Sequence, residues 1–349
     1  MSMPHSGSLA TDAAALEQFA ADVKYYLSLA PPQLPSRYFY DDLGSALFDT
    51  ICRLPWYTIT RAETRLLAAH GADIFRRAPA VTDIIELGPG SGEKLKILLA
   101  GLPRASGASR AAHLVDVSPA ALASAAQTIG VLPDVHVVTH QATYDAGLRE
   151  AASAVAGRTL VAFLGSNIGN FDAPGAAAFL QNVRACLAEG DALLLGVDLV
   201  KPERRLLLAY DDPLGVTAAF NKNLLLRINR ELGAGIDLDG FSHRAVWNGA
   251  QSRVEMHLVA RSDQSIRIPR AQVDIHLQAG DVIWTESSYK YGPEKVWPRH
   301  CDPLRFDGGA ARASLEVIVD EPHRLHERMD RRRTDERPSA SLQVFAERV

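Results

Sequence analysis

The chain has 349 residues, 47% of them hydrophobic, with a net charge of −4; that length suggests roughly two domains with a sizeable core, and the acidic balance excludes a nucleic-acid groove, which announces itself as a basic patch. Residues 1–10 lack a charged start followed by an apolar core, and no run of ~18 apolar residues follows, so a leader and a membrane span are not expected and the expected compartment is the cytoplasm. Cys52, Cys186 and Cys301 are widely spaced and odd in number, which argues against a disulfide framework and a C-x-x-C metal site, so no metal is expected. In chain order, residues 11–30 and 41–53 read as helices, and a third opens with Thr60 as N-cap and Glu63 three residues on, a capping-box pattern. From about 81 to 200, strands at 82–87, 112–116, 135–140, 159–164 and 191–197 alternate with helices at 93–101, 118–129 and 174–188. This alternation predicts a doubly wound parallel sheet with helices on both faces. Ligands of such sheets bind outside the carboxyl ends of the strands, which marks the loops 88–94, 116–118, 141–145, 165–171 and 198–201. Beyond 200, helical segments at 203–210 and 216–232 precede runs of period two at 253–259 and 273–277, the pattern of antiparallel strands in an inserted α+β domain.

The most informative stretch is Ile84-Ile85-Glu86-Leu87-Gly88-Pro89-Gly90-Ser91-Gly92-Glu93-Lys94, a glycine-rich turn between a strand and a helix. A dinucleotide G-x-G-x-x-G beginning at Gly88 needs glycine at 93, where Glu93 stands, and a phosphate-binding P-loop needs the same glycine before Lys94. Both templates fail at that residue. The remaining E-x-G-x-G-x-G pattern resembles that of S-adenosylmethionine (SAM) methyltransferases. Asp116 closes the next apolar run, His113-Leu114-Val115, where a ribose-binding carboxylate belongs in a doubly wound sheet.

A wider set of motifs carries a family resemblance: Tyr38-Phe39-Tyr40-Asp41, Gly44 to Asp49, Leu54-Pro55-Trp56-Tyr57 with Thr60 to Glu63, Phe163 to Asn170, Asp198 to Lys201, Ala209 to Asp212, and Phe220-Asn221 through Asn229 to Leu232. From about 35 to 292 the chain resembles the histidine Nα-methyltransferases of ergothioneine biosynthesis. The resemblance implies a class I, Rossmann-like SAM-methyltransferase fold with an inserted substrate-binding domain. It also implies three methyl transfers from SAM to the α-amino group of L-histidine, giving hercynine. Carried over by residue, Gly88, Gly90 and Lys94 contact SAM, and Asp116 holds its ribose. Tyr40 and Asn170 position the amine and carboxylate, with Tyr210 on the carboxylate. Tyr57 and Phe48 line the pocket, and Met256, Glu286 and Ser288 surround the imidazole. Where the family places an acid beside the adenine, this chain has Ala142-Thr143-Tyr144, so Thr143 offers a hydroxyl there.

Glu286 and Ser288 are two apart on a run that reads as a strand, so both leave one face, and together they can satisfy the two imidazole nitrogens. Plainer readings stay open. Tyr40 and Tyr57 suit a helix–sheet boundary, Asn170 suits a turn, Met256 suits the core, and Glu286 can form a surface ion pair with Lys290. The implied division is a SAM-binding core over 61–200 completed by part of 290–349, and a substrate-binding domain of 1–60 plus 201–289. Residues 297–349 depart from the family and read as a partly disordered tail whose one convincing element is a strand at 315–319; such a tail leaves the sheet short of its last strands, with an exposed edge. His323 and His326 lack a third ligand partner in sequence. The expected form is a monomer that takes a small amino acid, without nucleic acid or membrane. Two alternatives are N-methylation of another aromatic amino acid and a SAM-binding pseudoenzyme with a defective C-terminus.

Overall fold

The computed structural model describes residues 6–102, 110–292, 314–319 and 343–345. The helices are α1 (Ser6–Leu27), α2 (Asp42–Arg53), α3 (Ile59–Arg77), α4 (Glu93–Ala100), α5 (Pro119–Ile129), α6 (Tyr144–Ala154), α7 (Ala173–Cys186), α8 (Glu203–Tyr210) and α9 (Val216–Leu232). The strands are β1 (Val81–Leu87), β2 (Arg110–Asp116), β3 (Val135–Gln141), β4 (Arg158–Phe163), β5 (Ala192–Val197), β6 (Phe241–Asn248), β7 (Arg253–Ala260), β8 (Gln264–Ile268), β9 (Val273–Leu277), β10 (Val282–Tyr289), β11 (Ser314–Val319) and β12 (Gln343–Phe345). They form two compact units, Met1–Tyr57 with Pro202–Ser288 and Thr58–Lys201 with Tyr289–Val349.

The second unit is built on a seven-stranded sheet of order β12-β11-β5-β4-β1-β2-β3. All neighbours are parallel except β11 and β12. Because β1 is apolar on both sides, it serves two cores. Ile84 packs with Leu67 of α3, Leu95 and Leu98 of α4 and Leu122 of α5, while Ile85 and Leu87 pack with Leu148 of α6 and Phe179 and Val183 of α7. Helices therefore cover both faces, as the alternation predicts.

Three expectations need correction. The sheet does not stop at β5: β11 pairs with it from Ser314–Ala192 to Val319–Val197, and β12 pairs with β11 through Leu315–Phe345. A three-residue strand such as β12 is too short to show a period, which is why the sequence hides it. The rest of the tail reading, including Cys301, His323 and His326, lies outside the described residues. The second correction is α6, which begins at Tyr144, inside the stretch read as a loop at 141–145, and continues to Ala154, where no helix is expected. Its inner face carries small residues, so its apolar period is faint; a Cβ on Gly147 would lie 2.3 Å from Val115 Cγ1, an approach only glycine permits. The third is the capping box. The N-cap of α3 is Thr58, without a side-chain cap bond. Thr60 lies inside the helix, its carbonyl accepting from Thr64 Oγ1, and Glu63 is turned into the interior, 2% exposed.

The first unit combines α1, α2, α8 and α9 with a three-stranded sheet β10-β7-β6 and the hairpin β8-β9. Asp41 caps α2 by accepting from Gly44 N–H at 2.8 Å and binds Asn223 Nδ2 and Arg230 of α9, both at 2.7 Å. Burial opposes its charge, but Arg230, the Gly44 amide and Asn223 outweigh it and hold the Asp41 carboxyl below its ordinary value. A Cβ on Gly44 would meet Phe39 O at 1.6 Å, so the chain can turn into α2 only with glycine there.

Candidate active site

In the second unit, the carboxyl end of β1 runs into the turn Gly88 to Gly92 and then α4. Gly88 and Gly90 have φ of +74° and +54°, a region that side-chain-bearing residues avoid. A Cβ on Gly88 would lie 2.8 Å from Asn167 Nδ2 and 3.1 Å from the Tyr144 hydroxyl, whereas one on Gly90 meets nothing within 4 Å. The turn is thus closed by side chains at Gly88 and open at Gly90. Asp116 sits at the end of β2, Oδ1 accepting from Ser118 N–H at 2.9 Å. Burial raises its pKa, while the amides of Ser118 and Val117 offset part of the rise. Tyr144 packs edge-on to Phe163, ring centroids 5.1 Å apart. Burial, then the Asp116 charge, pushes its phenol up, so it stays protonated. Thr143 is exposed at the N-cap of α6, making no side-chain cap bond.

Lys94 lies in the first turn of α4 and binds Glu63 of α3 at 2.8 Å, and both Glu63 oxygens accept from Gly165 N–H at 2.7 and 2.8 Å. This pair, with Glu63 buried and Lys94 partly so, ties two helices to the loop after β4. Asn170 ends the short turn Asn167–Asn170 in that loop and is exposed. Ser166, at φ +58°, accepts from the Asp198 amide at 2.9 Å. Asp198 in turn binds Lys201 and, at 3.2 Å, Lys290. Burial works against the Asp198 charge, but Lys290 and Lys201 overcome it and its pKa falls. Lys290, 3% exposed, is therefore a partner of Asp198, which corrects its reading as a surface partner of Glu286.

The first unit gathers the aromatic residues that the sequence singles out. Tyr40 lies 5.6 Å from Phe48 between centroids, Phe48 6.2 Å from Tyr57, and Tyr57 6.3 Å from Tyr210. Phe220 of α9 contacts Tyr40 at 5.8 Å and Phe48 at 5.9 Å. The Tyr210 hydroxyl donates to Ser288 Oγ at 2.7 Å, joining β10 to this group. Tyr57 is 9% exposed. Its pKa is driven well above the ordinary value by burial first, then by Tyr210, Cys52, Tyr40 and Glu286. Glu286 is half-buried, its carbonyl accepting from Trp284 Nε1 at 2.8 Å. Met256 is 1% exposed, on the same side of β7 as the buried Val254 and Leu258.

Sequence reasoning did not name Glu63, Asn167, Phe220 and His243 as site candidates, and took Glu86 only as the acid that opens the E-x-G-x-G-x-G pattern. Asn167 could have been found, because it shares the strand-end segment with Asn170. His243 donates through Nε2 to the Tyr210 carbonyl at 2.8 Å and accepts at Nδ1 from Asn221 at 2.9 Å, and nothing local in the sequence announces that. Among the described residues no cluster of three His, Cys, Asp or Glu side chains could hold a metal.

A family model described as "Histidine-specific methyltransferase, SAM-dependent" matches residues 19–299. The chain belongs to this family. The methyltransferase is 42% identical to the histidine N-alpha-methyltransferase of Mycolicibacterium smegmatis over 85% of this chain and 91% of the relative. It is also 42% identical to that of Mycobacterium tuberculosis over 79% of this chain and 85% of the relative. It shares 29% identity with ergothioneine biosynthesis protein 1 of Neurospora crassa, covering 76% of this chain and 32% of that longer protein. Among the described residues of the methyltransferase, no helix is long and apolar enough to cross a membrane.

Proposed function

We propose that this methyltransferase trimethylates the α-amino nitrogen of L-histidine, giving the betaine hercynine as a step of ergothioneine biosynthesis. The observation that carries the reading is the connected group Tyr40, Phe48, Tyr57, Phe220, Tyr210 and Ser288. Bound SAM supplies a methyl group on a sulfonium. Gly88, Gly90 and Asp116 would hold it, with Lys94, Thr143 and Tyr144 beside them.

The protein's share of the chemistry is orientation. Fixing two reactants can supply ~7–11 kcal/mol of the barrier, and the amine needs a neutral lone pair more than a strong base. Tyr57 suits this, because its phenol, held protonated by burial, accepts or donates hydrogen bonds without acting as a base. Each transfer adds bulk and the last leaves a quaternary cation, which the faces of Tyr40, Phe48 and Tyr57 stabilise by roughly 0.5–2 kcal/mol. Tyr40, Asn170 and Tyr210 are proposed to orient the amine and carboxylate; Glu286 and Ser288, with Met256 as packing, the imidazole. A side chain without ring nitrogens would leave those polar groups unpaired, a mismatch that discriminates by ~10⁴ or more. A monomer in the cytoplasm, where SAM is available, is the proposed working form.

The test is mass spectrometry of products from SAM with L-histidine, L-tryptophan or L-tyrosine. Trimethylhistidine as the dominant product is expected. Accumulation of only the monomethyl form under excess SAM would sink the trimethylation, and faster turnover of tryptophan would sink the substrate.

A further inference from the structure

Glu86 lies near the end of β1, between Leu114 of β2 and Ala162 of β4. It is 0% exposed, and among the described residues neither carboxyl oxygen has a hydrogen-bond partner. The period of two turns it to the side of Ile84, the side packed by α3 and α4. The charged groups that bear on it are Lys94 from α4, Glu63 from α3 and Asp116 at the end of β2. Lys94 is already matched by Glu63 at 2.8 Å. An ionised Glu86 would therefore be a second buried carboxylate competing for one ammonium, beside a third carboxylate at Asp116. Burying an unpaired charge is costly enough that the group neutralises instead. Burial first, opposed by Lys94 and aided by Glu63 and Asp116, pushes Glu86 up to about 8.

We propose that Glu86 is the residue that registers the cofactor's sulfonium charge, ionising when SAM binds and staying protonated when the product S-adenosylhomocysteine, whose thioether sulfur is neutral, occupies the same place. The inference rests on the SAM reading of the glycine turn. A cation brought within about 4–6 Å lowers a carboxyl by about 1–3 units, enough to carry Glu86 across neutrality. SAM binding then expels a proton from Glu86 to solvent, and product binding expels none. The site thereby prefers the charged cofactor and relaxes its hold once the methyl has left.

The experiment is calorimetric titration of the full chain with SAM and with S-adenosylhomocysteine at pH 7, in buffers of different ionisation enthalpy, which counts the protons released. The wild type is expected to release about 0.8 proton more with SAM than with product, the fraction set by a drop of about two units. In Glu86→Gln the difference disappears and the preference for SAM over product falls about tenfold or more. The ligands' own amino groups still titrate in that variant, so they are subtracted. Equal proton counts in the wild type, or a difference that survives in Glu86→Gln, would overturn the proposal while leaving SAM binding intact. Absence of SAM binding would overturn both. Should the variant not fold, the wild-type ratio of the product Kd to the SAM Kd serves: it rises between pH 6 and 8 if Glu86 responds to charge, and a flat ratio refutes it.

Discussion

Tyr210 is held from both ends, its carbonyl by His243 and its hydroxyl on Ser288. Removing the hydroxyl in Tyr210→Phe deletes its bond to Ser288, 4% exposed, at a cost of about 1 kcal/mol. The expected result is a histidine KM raised several-fold with SAM affinity unchanged, read by steady-state kinetics and calorimetry. Glu286→Ala should raise the histidine KM more, about tenfold or beyond; an equal rise in both KM values would indicate a folding defect. Glu86 makes a prediction about stability. Its folded pKa of about 8 stands above the ordinary 4.5, so between those values the folded chain binds more protons than the unfolded one. Stability from this group is complete below about pH 4.5 and is lost as pH rises through about 8. Glu86→Gln, which cannot ionise, should flatten the decline of Tm between pH 5 and 8 in the ligand-free protein; an unchanged slope would show that other groups cause it.

At the scale of elements, the turn from β1 to α4 concentrates backbone conformations that only glycine adopts easily. Gly90→Ala separates the ligand role from the structural one, because its methyl meets no protein atom within 4 Å while φ is +54°. The strain is about 1–2 kcal/mol, a Tm loss of a few degrees. SAM affinity should fall by tenfold or more, and unchanged affinity would remove this turn from the cofactor site. Most element limits were legible. The helices 203–210 and 216–232 and the strand 273–277 coincide with α8, α9 and β9, since each has a full apolar period and clear flanking breaks. The helix α6 was not legible, because its buried face sets a single large residue, Leu148, between Gly147 and Ala151, and small residues barely register as a hydrophobic pattern.

For the whole molecule, the chain visits each unit twice, so the sheet unit is completed only by residues beyond 288. β11 lies between β5 and β12. Deleting residues 314–349 would turn β5, buried along its whole length, into an open edge, and such edges pair with other chains. Aggregation on expression and loss of SAM binding are expected, measured by size-exclusion chromatography and calorimetry; a monomeric variant that still binds SAM would show the last strands dispensable.

The sequence by itself determined the doubly wound core, the glycine turn, the position of Asp116 at a strand end, and the aromatic residues that the first unit gathers. Those signals are local: a hydrophobic period, a glycine where φ must be positive, and motifs at fixed spacing. Only the tertiary structure decided that Glu63 is a buried partner of Lys94 instead of a helix cap, that Lys290 serves Asp198, and that His243 holds Tyr210. It also decided that Glu86 stands buried with no hydrogen-bond partner among the described residues. Each of those depends on which charges and donors meet across elements 31 to 92 residues apart in the chain, and pairing at such separations is set by packing, which no local pattern encodes.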